Sequence, residues 1–276
     1  MKARILFSLF LLLLNLATRA TAQQNLDSKQ AELMLSVHLK TMSPSDLQML
    51  IIKAQAGDAV AQYLLGRAYD RRLLPKNDEK SAEWFQKSAE QGYAPAQRLY
   101  GLLYAHTNPP VGERWMLRAA EQGDAEAQFW LGVAYEQNWF GTTDIKEAVK
   151  WYQKAAQGGN PDAQVELGQK YEDGEGVEQS FKFAAELFQK AAEHAPDLGG
   201  AGQGRNRLGL LYMKGLGVPL DYFQAYFWFS LSCPDGNAAH AKSHLSLAQI
   251  QNVDRLVIEW NKQHRIKPEL AAAFTP

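Results

Sequence analysis

A spaced pattern that recurs five times decides what this chain can fold into. A small residue, often followed by Gln, precedes two variable positions, an apolar residue, Gly, two more positions and Tyr. The instances are Ala61, Gln62, Leu65, Gly66, Tyr69; Ala96, Gln97, Tyr100, Gly101, Tyr104; and Ala127, Gln128, Leu131, Gly132, Tyr135. Ala163, Gln164, Leu167, Gly168, Tyr171 make the fourth, and Gly204, Leu208, Gly209, Tyr212 the fifth. The Gly-to-Gly steps are 35, 31, 36 and 41 residues. A second block, around Trp84, Trp115, Trp151, Leu187 and Trp228, recurs at steps of 31, 36, 36 and 41. Periods of this length belong to stacked arrays in which each unit contributes two elements.

Both elements read as helices. Ala61, Leu65, Ala68 and Tyr69 fall at i, i+4, i+7 and i+8, one face of an α-helix, and Ala82, Phe85 and Ala89 do the same in the second block. Gly-Asp or Gly-Asn steps at Gly57, Gly123 and Gly159 end one helix with a C-cap glycine and offer a side-chain acceptor to start the next. Gly and Ala at the helix contacts allow close approach, and the Tyr and Trp residues fill the wedge between hairpins. One hairpin buries too little to stand alone, so the units must stack and share a continuous core.

The segments "AQYLLGRAYD", "AQVELGQKYEDGEGV" and "AVKWYQKAAQGGNPDAQ" resemble the Sel-one-like repeat, a relative of the tetratricopeptide repeat, over about residues 46 to 232. Members of that family run from the Tyr through a Gly-x-Gly-Val loop into the second helix. Repeat four keeps it as Gly174, Gly176, Val177, and repeat five as Gly215, Gly217, Val218, Asp221. Repeats one ("RRLLPKND"), two ("AHTNPPVGE") and three ("EQNWFGTTD") depart from it. The resemblance implies an all-α fold: a right-handed α-solenoid of about five helix-turn-helix repeats with terminal capping helices.

The expected layout is a signal peptide at 1–22, an N-terminal helix and capping half-repeat at 23–57, five repeats at 58–232, and capping helices with a tail at 233–276. Met49, Ala54 and Gly57 stand where Trp84, Ala89 and Gly92 stand one unit later, which marks 44–57 as the half-repeat, preceded by a helix across Gln24–Met42. Ile250, Val253, Leu256, Val257 and Trp260 have the spacing of a terminal helix that seals the last open face.

Lys2 and Arg4, an apolar stretch from Ile5 to Leu14 and the small triplet Ala20, Thr21, Ala22 read as a secretory signal cleaved before Gln23. The stretch is about half the roughly 20 residues that a spanning helix needs, and no stable membrane insertion is expected. Loss of Lys2, Arg4 and Arg19 leaves 26 of 29 basic residues against 30 acidic ones, near −4, which gives nucleic acid no electrostatic footprint. A single cysteine, Cys233, excludes an intramolecular disulfide, so the fold rests on its apolar core. Periplasmic localisation is expected, with secretion as the alternative.

Motifs for chemistry are sparse. His240 and His244 stand at i, i+4 without a third ligand suggested by spacing, and read as solvent-facing histidines. "GGAGQGR" lacks the Lys-Ser/Thr ending of a phosphate loop and reads as a flexible insertion that lengthens the last step. No nucleophile elbow or zinc-protease helix occurs, so no cofactor and no catalytic activity are expected. The aromatic run Tyr222–Phe229 reads as core. Trp139 and Phe140 are either binding aromatics in a loop, or Phe140 fills the place of the family's loop Val.

On the first helix of each unit the positions that stay fixed centre on one face, and the opposite face varies. Tyr63, Arg67, Arg98, Phe129, Trp130, Glu166 and Arg207 are the candidate partner-binding residues, lining a groove with side chains of the types that dominate interface energy. Exported relatives serve as envelope or secretion adaptors, as host-interaction factors and as immunity proteins against delivered toxins such as type VI phospholipases. The resemblance therefore implies a protein partner, a toxin effector or an envelope component, with a host-interaction role as the alternative. Cysteine-rich relatives that bind or weakly hydrolyse β-lactams carry a Cys pair in every repeat, a hallmark missing here.

Overall fold

The computed structural model describes residues 42–70, 74–194, 200–232 and 236–264. The signal peptide, the helix expected before Met42, and Cys233 lie outside the described residues. Within them the chain is all helix. A capping helix α1 (Pro44–Gln55) precedes five hairpins, each an A helix followed by a B helix. These are α2 (Ala59–Asp70) with α3 (Asp78–Glu90), α4 (Ala94–Tyr104) with α5 (Pro109–Glu121), and α6 (Ala125–Glu136) with α7 (Ile145–Gln157). They continue as α8 (Pro161–Asp173) with α9 (Phe181–Ala192) and α10 (Ala201–Lys214) with α11 (Tyr222–Ser230). The short α12 (Gly236–Ser243) and the longer α13 (Leu247–His264) close the array.

Each hairpin is locked by its glycine. A Cβ at Gly66 would stand 2.7 Å from the Phe85 ring, at Gly101 2.6 Å from Met116 Cγ, at Gly132 2.4 Å from Tyr152, at Gly168 2.4 Å from Phe188, and at Gly209 2.7 Å from Phe229. The glycine is a socket, and the residue after each Trp or Leu of the second block is the knob. Of those knobs Met116, Tyr152, Phe188 and Phe229 are fully buried. Burying an aromatic of this size stabilises by about 1.5–3 kcal/mol relative to exposure, which is why the socket outweighs the helix penalty of glycine, about 1 kcal/mol.

Neighbouring hairpins are joined by the Gln that follows each small residue. Its amide donates to a carbonyl at the end of the preceding helix: Gln62 to Ala54, Gln97 to Ala89, Gln128 to Ala120 and Gln164 to Ala156, at 3.0–3.3 Å. Each of those carbonyls lies in the last helical turn and already accepts from the backbone N–H of the glycine three residues on, so the Gln adds a second bond, one that crosses the joint between hairpins. In the fifth repeat Arg205 takes the Gln place. It donates to Ala192 O and His194 O behind and to Leu231 O ahead, and lies 4.5 Å over the ring of Trp260 on α13. One side chain thus ties the fourth, fifth and capping units together.

Turn chemistry follows the sequence. Gly57, Gly123 and Gly159 take φ of 95°, 88° and 81°, and Asp58, Asp124 and Asn160 then accept from the backbone N–H of Ala61, Ala127 and Ala163. Gly174 and Gly215 likewise cap α8 and α10 in the left-handed conformation.

The "GGAGQGR" segment departs from expectation. It is no flexible insertion from Gly200 onward: Ala201–Arg205 form the first turn of α10. Two of its glycines serve close approach, since a Cβ at Gly200 would meet Pro161 O at 2.5 Å and one at Gly204 would meet Ala191 Cβ at 2.7 Å, whereas Gly202 faces open space. Phe140 packs into the interior, edge-on to Tyr135 at 5.7 Å, while Trp139 turns elsewhere.

Candidate functional site

Counting the small residue of each A helix as the first place, the glycine is sixth. At 100° per residue the fourth place stands about 160° from it and the third only about 60°. The glycine faces the B layer, so the fourth place points away from it. Successive A helices touch directly at α4–α6 and α8–α10, and no B helix comes as close to the next B helix, so the A layer takes the inside of the curve. The fourth-place row, Leu64, Leu99, Trp130, Glu166, Arg207, therefore runs along the concave surface.

This geometry divides the seven candidate residues. Trp130, Glu166 and Arg207 are partly exposed in the fourth-place row. Tyr63, Arg67, Arg98 and Phe129 are 2%, 3%, 4% and 9% exposed, which corrects their assignment to an open groove. Three of the four occupy the third place, which the start of the next A helix covers. Tyr93, ahead of α4, stands edge-on to Tyr63 at 5.3 Å, and the Arg98 Nε lies 3.3 Å from Oδ1 of Asp124, the N-cap of α6. Arg67, at the seventh place, donates to the Tyr63 hydroxyl at 3.1 Å. Phe129 packs 6.0 Å from Tyr152. Reading a helix face one residue off rotates it by 100°, enough to exchange groove for interior.

The concave surface has two chemistries. Toward the N-terminus it is apolar and aromatic: Leu99 and Leu102 are half-buried, Leu103 is exposed, and Trp139 from the loop after α6 stacks on Trp130 at 6.0 Å with His106 beyond it at 4.6 Å. Toward the C-terminus it is charged. Lys170 Nζ bonds Glu136 and, at 2.6 Å, Glu175; the Tyr152 hydroxyl donates to Glu136 at 2.6 Å; Arg207 Nη1 lies 3.5 Å from Glu172. Burial lowers the Lys170 pKa, but its two carboxylates overcome that and leave it raised. Burial, followed by the hydrogen bond to Glu136, pushes the Tyr152 phenol up, so it stays a neutral donor. Glu166 is raised too, first by burial and then by Glu136, with Lys170 and Arg207 opposing.

Glu136, Lys170 and His106 belong to this surface but escape a reading centred on variable helix positions, whereas Trp139 is the loop aromatic that the sequence offers as one of two readings. Lys170 carries a signal, for it occupies the eighth place, where the other repeats have Ala68, Leu103, Ala134 and Leu211.

Elsewhere the chemistry is thin. No three of His, Cys, Asp and Glu converge to hold a metal among the described residues. His240 and His244 are exposed, and His244 stacks on Tyr222 at 4.0 Å. A cleft of about 230 Å³ between α11 and α13, lined by Phe223, Phe227, Leu256 and Trp260, is smaller than the ~300 Å³ at which small-molecule pockets begin. No helix among the described residues is long and apolar enough to cross a membrane.

Comparison with known proteins accords with this architecture. The Sel1 repeat model matches residues 59–93, 94–124, 125–160, 161–195 and 203–237. A search of curated proteins finds no match. Among solved structures the chain is similar to c5321, a protective antigen present in uropathogenic Escherichia coli strains displaying an SLR fold, with 32% identity, TM-score 0.70, 82% of this chain and 50% of that one covered. The chain thus spans about half the length of c5321. It is also similar to a Sel1 repeat protein from Oxalobacter formigenes, with 29% identity, TM-score 0.58, 80% of this chain and 90% of that one covered. With five consecutive matches laid over five observed hairpins, the chain belongs to the Sel1 repeat family, an all-α solenoid of the protein-interaction kind.

Proposed function

We propose that this is an exported, non-enzymatic solenoid that holds another protein in its concave groove, as an immunity protein against a delivered toxin of the phospholipase type or as a small envelope adaptor. The observation that carries the reading is the contrast within the A helices. Their first, second, third, fifth and sixth places are mostly buried, whereas the fourth place opens to solvent from Leu99 onward and changes character in every repeat: Leu99, Trp130, Glu166, Arg207. A scaffold that fixes its packing and varies one exposed row presents side chains along a continuous surface. Trp130 and the adjoining Trp139 supply the large contact area from which interface hot spots are made.

The periplasm is the proposed location, from the signal-like residues 1–22 and the single cysteine. A host-interaction role is the second reading, favoured by the likeness to c5321, a protective antigen present in uropathogenic Escherichia coli strains.

Affinity purification of the tagged chain from its own envelope, with Trp130→Ala alongside, tests the proposal. A toxin or envelope component recovered with the parent chain and lost with the variant supports it. Turnover of a chromogenic β-lactam above background would replace it with an enzymatic reading.

A further inference from the structure

The two chemistries of the concave surface meet between repeats three and four, where Trp130 and Glu166 hold the same place on successive A helices. Helices α6 and α8 are bridged there by the Lys170–Glu136 pair, and buried Asn160 donates to Glu126 at 2.8 Å. The local charges are Glu136, Glu166, Glu172 and Glu175 against Lys170 and Arg207, four negative to two positive. Both cations are engaged, Lys170 by Glu136 and Glu175 and Arg207 by Glu172. Glu166 accepts no hydrogen bond from another described residue, and its surroundings disfavour its charge. At the same place one repeat earlier the Trp130–Trp139 stack offers indole surface, although a loop tryptophan is costly to leave against water.

We propose that this junction receives an arginine side chain of a protein partner, with the guanidinium against the Trp130–Trp139 pair and Glu166 as its counter-ion. The proposal rests on the concave face being the binding face. The guanidinium is the group that meets both demands: its plane stacks on an indole, its edge bonds a carboxylate, and it sheds water more readily than an ammonium. An acidic side chain would add to the excess of negative charge. An apolar one would bury Glu166 further without a partner, which costs more than the contact returns.

The test is an array of short peptides in which the central residue alone varies over random flanks, probed with labelled full-length chain at low and high salt. Arginine-centred peptides are expected to bind best, about tenfold above glutamine-centred ones, from one cation–π contact and one partly exposed ion pair. Lysine should come second, and high salt should shrink the margin. In Glu166→Gln the preference should disappear while the protein melts no lower than the parent, a pairing of results that a structural role for Glu166 would not give. In Trp130→Ala all peptides should weaken, with folding checked by circular dichroism. An arginine preference that survives Glu166→Gln, or a preference for acidic or aliphatic centres, overturns the arginine site and leaves a protein-binding groove standing. Failure to hold any peptide counts against the arginine site and the groove together.

Discussion

The glycine row and the fourth-place row stand on opposite sides of the same five A helices. In the glycine row every member has the same role, to receive the knob of its own B helix, and the knob varies only among Phe, Met and Tyr. In the fourth-place row no role recurs: Leu64 is buried, Leu99 half-covered, Trp130 stacked, Glu166 charged and Arg207 paired with Glu172. Close packing tolerates little change in volume, and solvent imposes no such limit, so repetition marks the side that holds the array together and variety marks the side free to recognise something.

The comparison breaks first on the knobs. Phe188→Ala should cost about 3–5 kcal/mol in denaturant unfolding, because the ring has no exposure and Gly168 cannot fill the void. Trp130→Ala should cost far less; equal losses would mean that the fourth-place row is as structural as the glycine row. Next comes Asp124→Ala, which removes both the N-cap of α6 and the Asp124 carboxylate that stands against the buried Arg98 guanidinium, at a cost of about 3 kcal/mol. Asp124→Asn keeps the cap alone and should fall between, separating the two contributions.

Gly132→Ala is smaller, about 1–3 kcal/mol, since the new methyl meets the Tyr152 ring 2.4 Å away and the ring must move. Gly57→Ala makes a useful contrast. There the space is open and the cost is that of a left-handed residue, about 1 kcal/mol, so a larger loss at Gly57 than at Gly132 would contradict the socket account.

Smallest is Glu166→Gln, and its sign is opposite. A carboxyl whose folded pKa is raised costs stability while ionised: the cost is full above the folded pKa, falls as pH drops through it, and is gone below the unfolded value of about 4.3. The variant should therefore melt slightly higher than the parent at neutral pH and no higher in acid, as a pair of melting curves would show.

Most of the fold was legible because each rule that builds it leaves a residue type at a fixed spacing. Gly57, Gly123 and Gly159 announce left-handed caps, and Ile250, Val253, Leu256, Val257 and Trp260 announce a terminal helix. The site was legible only in part, because the third and fourth places vary alike from repeat to repeat and differ solely in what covers them. Burial of Tyr63 by Tyr93 and of Arg98 by Asp124 depends on how far the next hairpin is displaced, which no single repeat encodes. The stack of Trp139 on Trp130 is set by a loop that departs from the family pattern, and Gly200 and Gly204 show glycine used for close approach where composition alone reads as slack.

Photocrosslinking in the living cell tests the central claim most directly. A photoreactive residue is placed at Leu99, Trp130 or Arg207 on the groove, and at the exposed Glu83, Lys150 or Glu186 on the B helices. The account predicts that the same protein is captured from the groove positions and not from the outer ones. Capture from the B helices, with the groove silent, would contradict it.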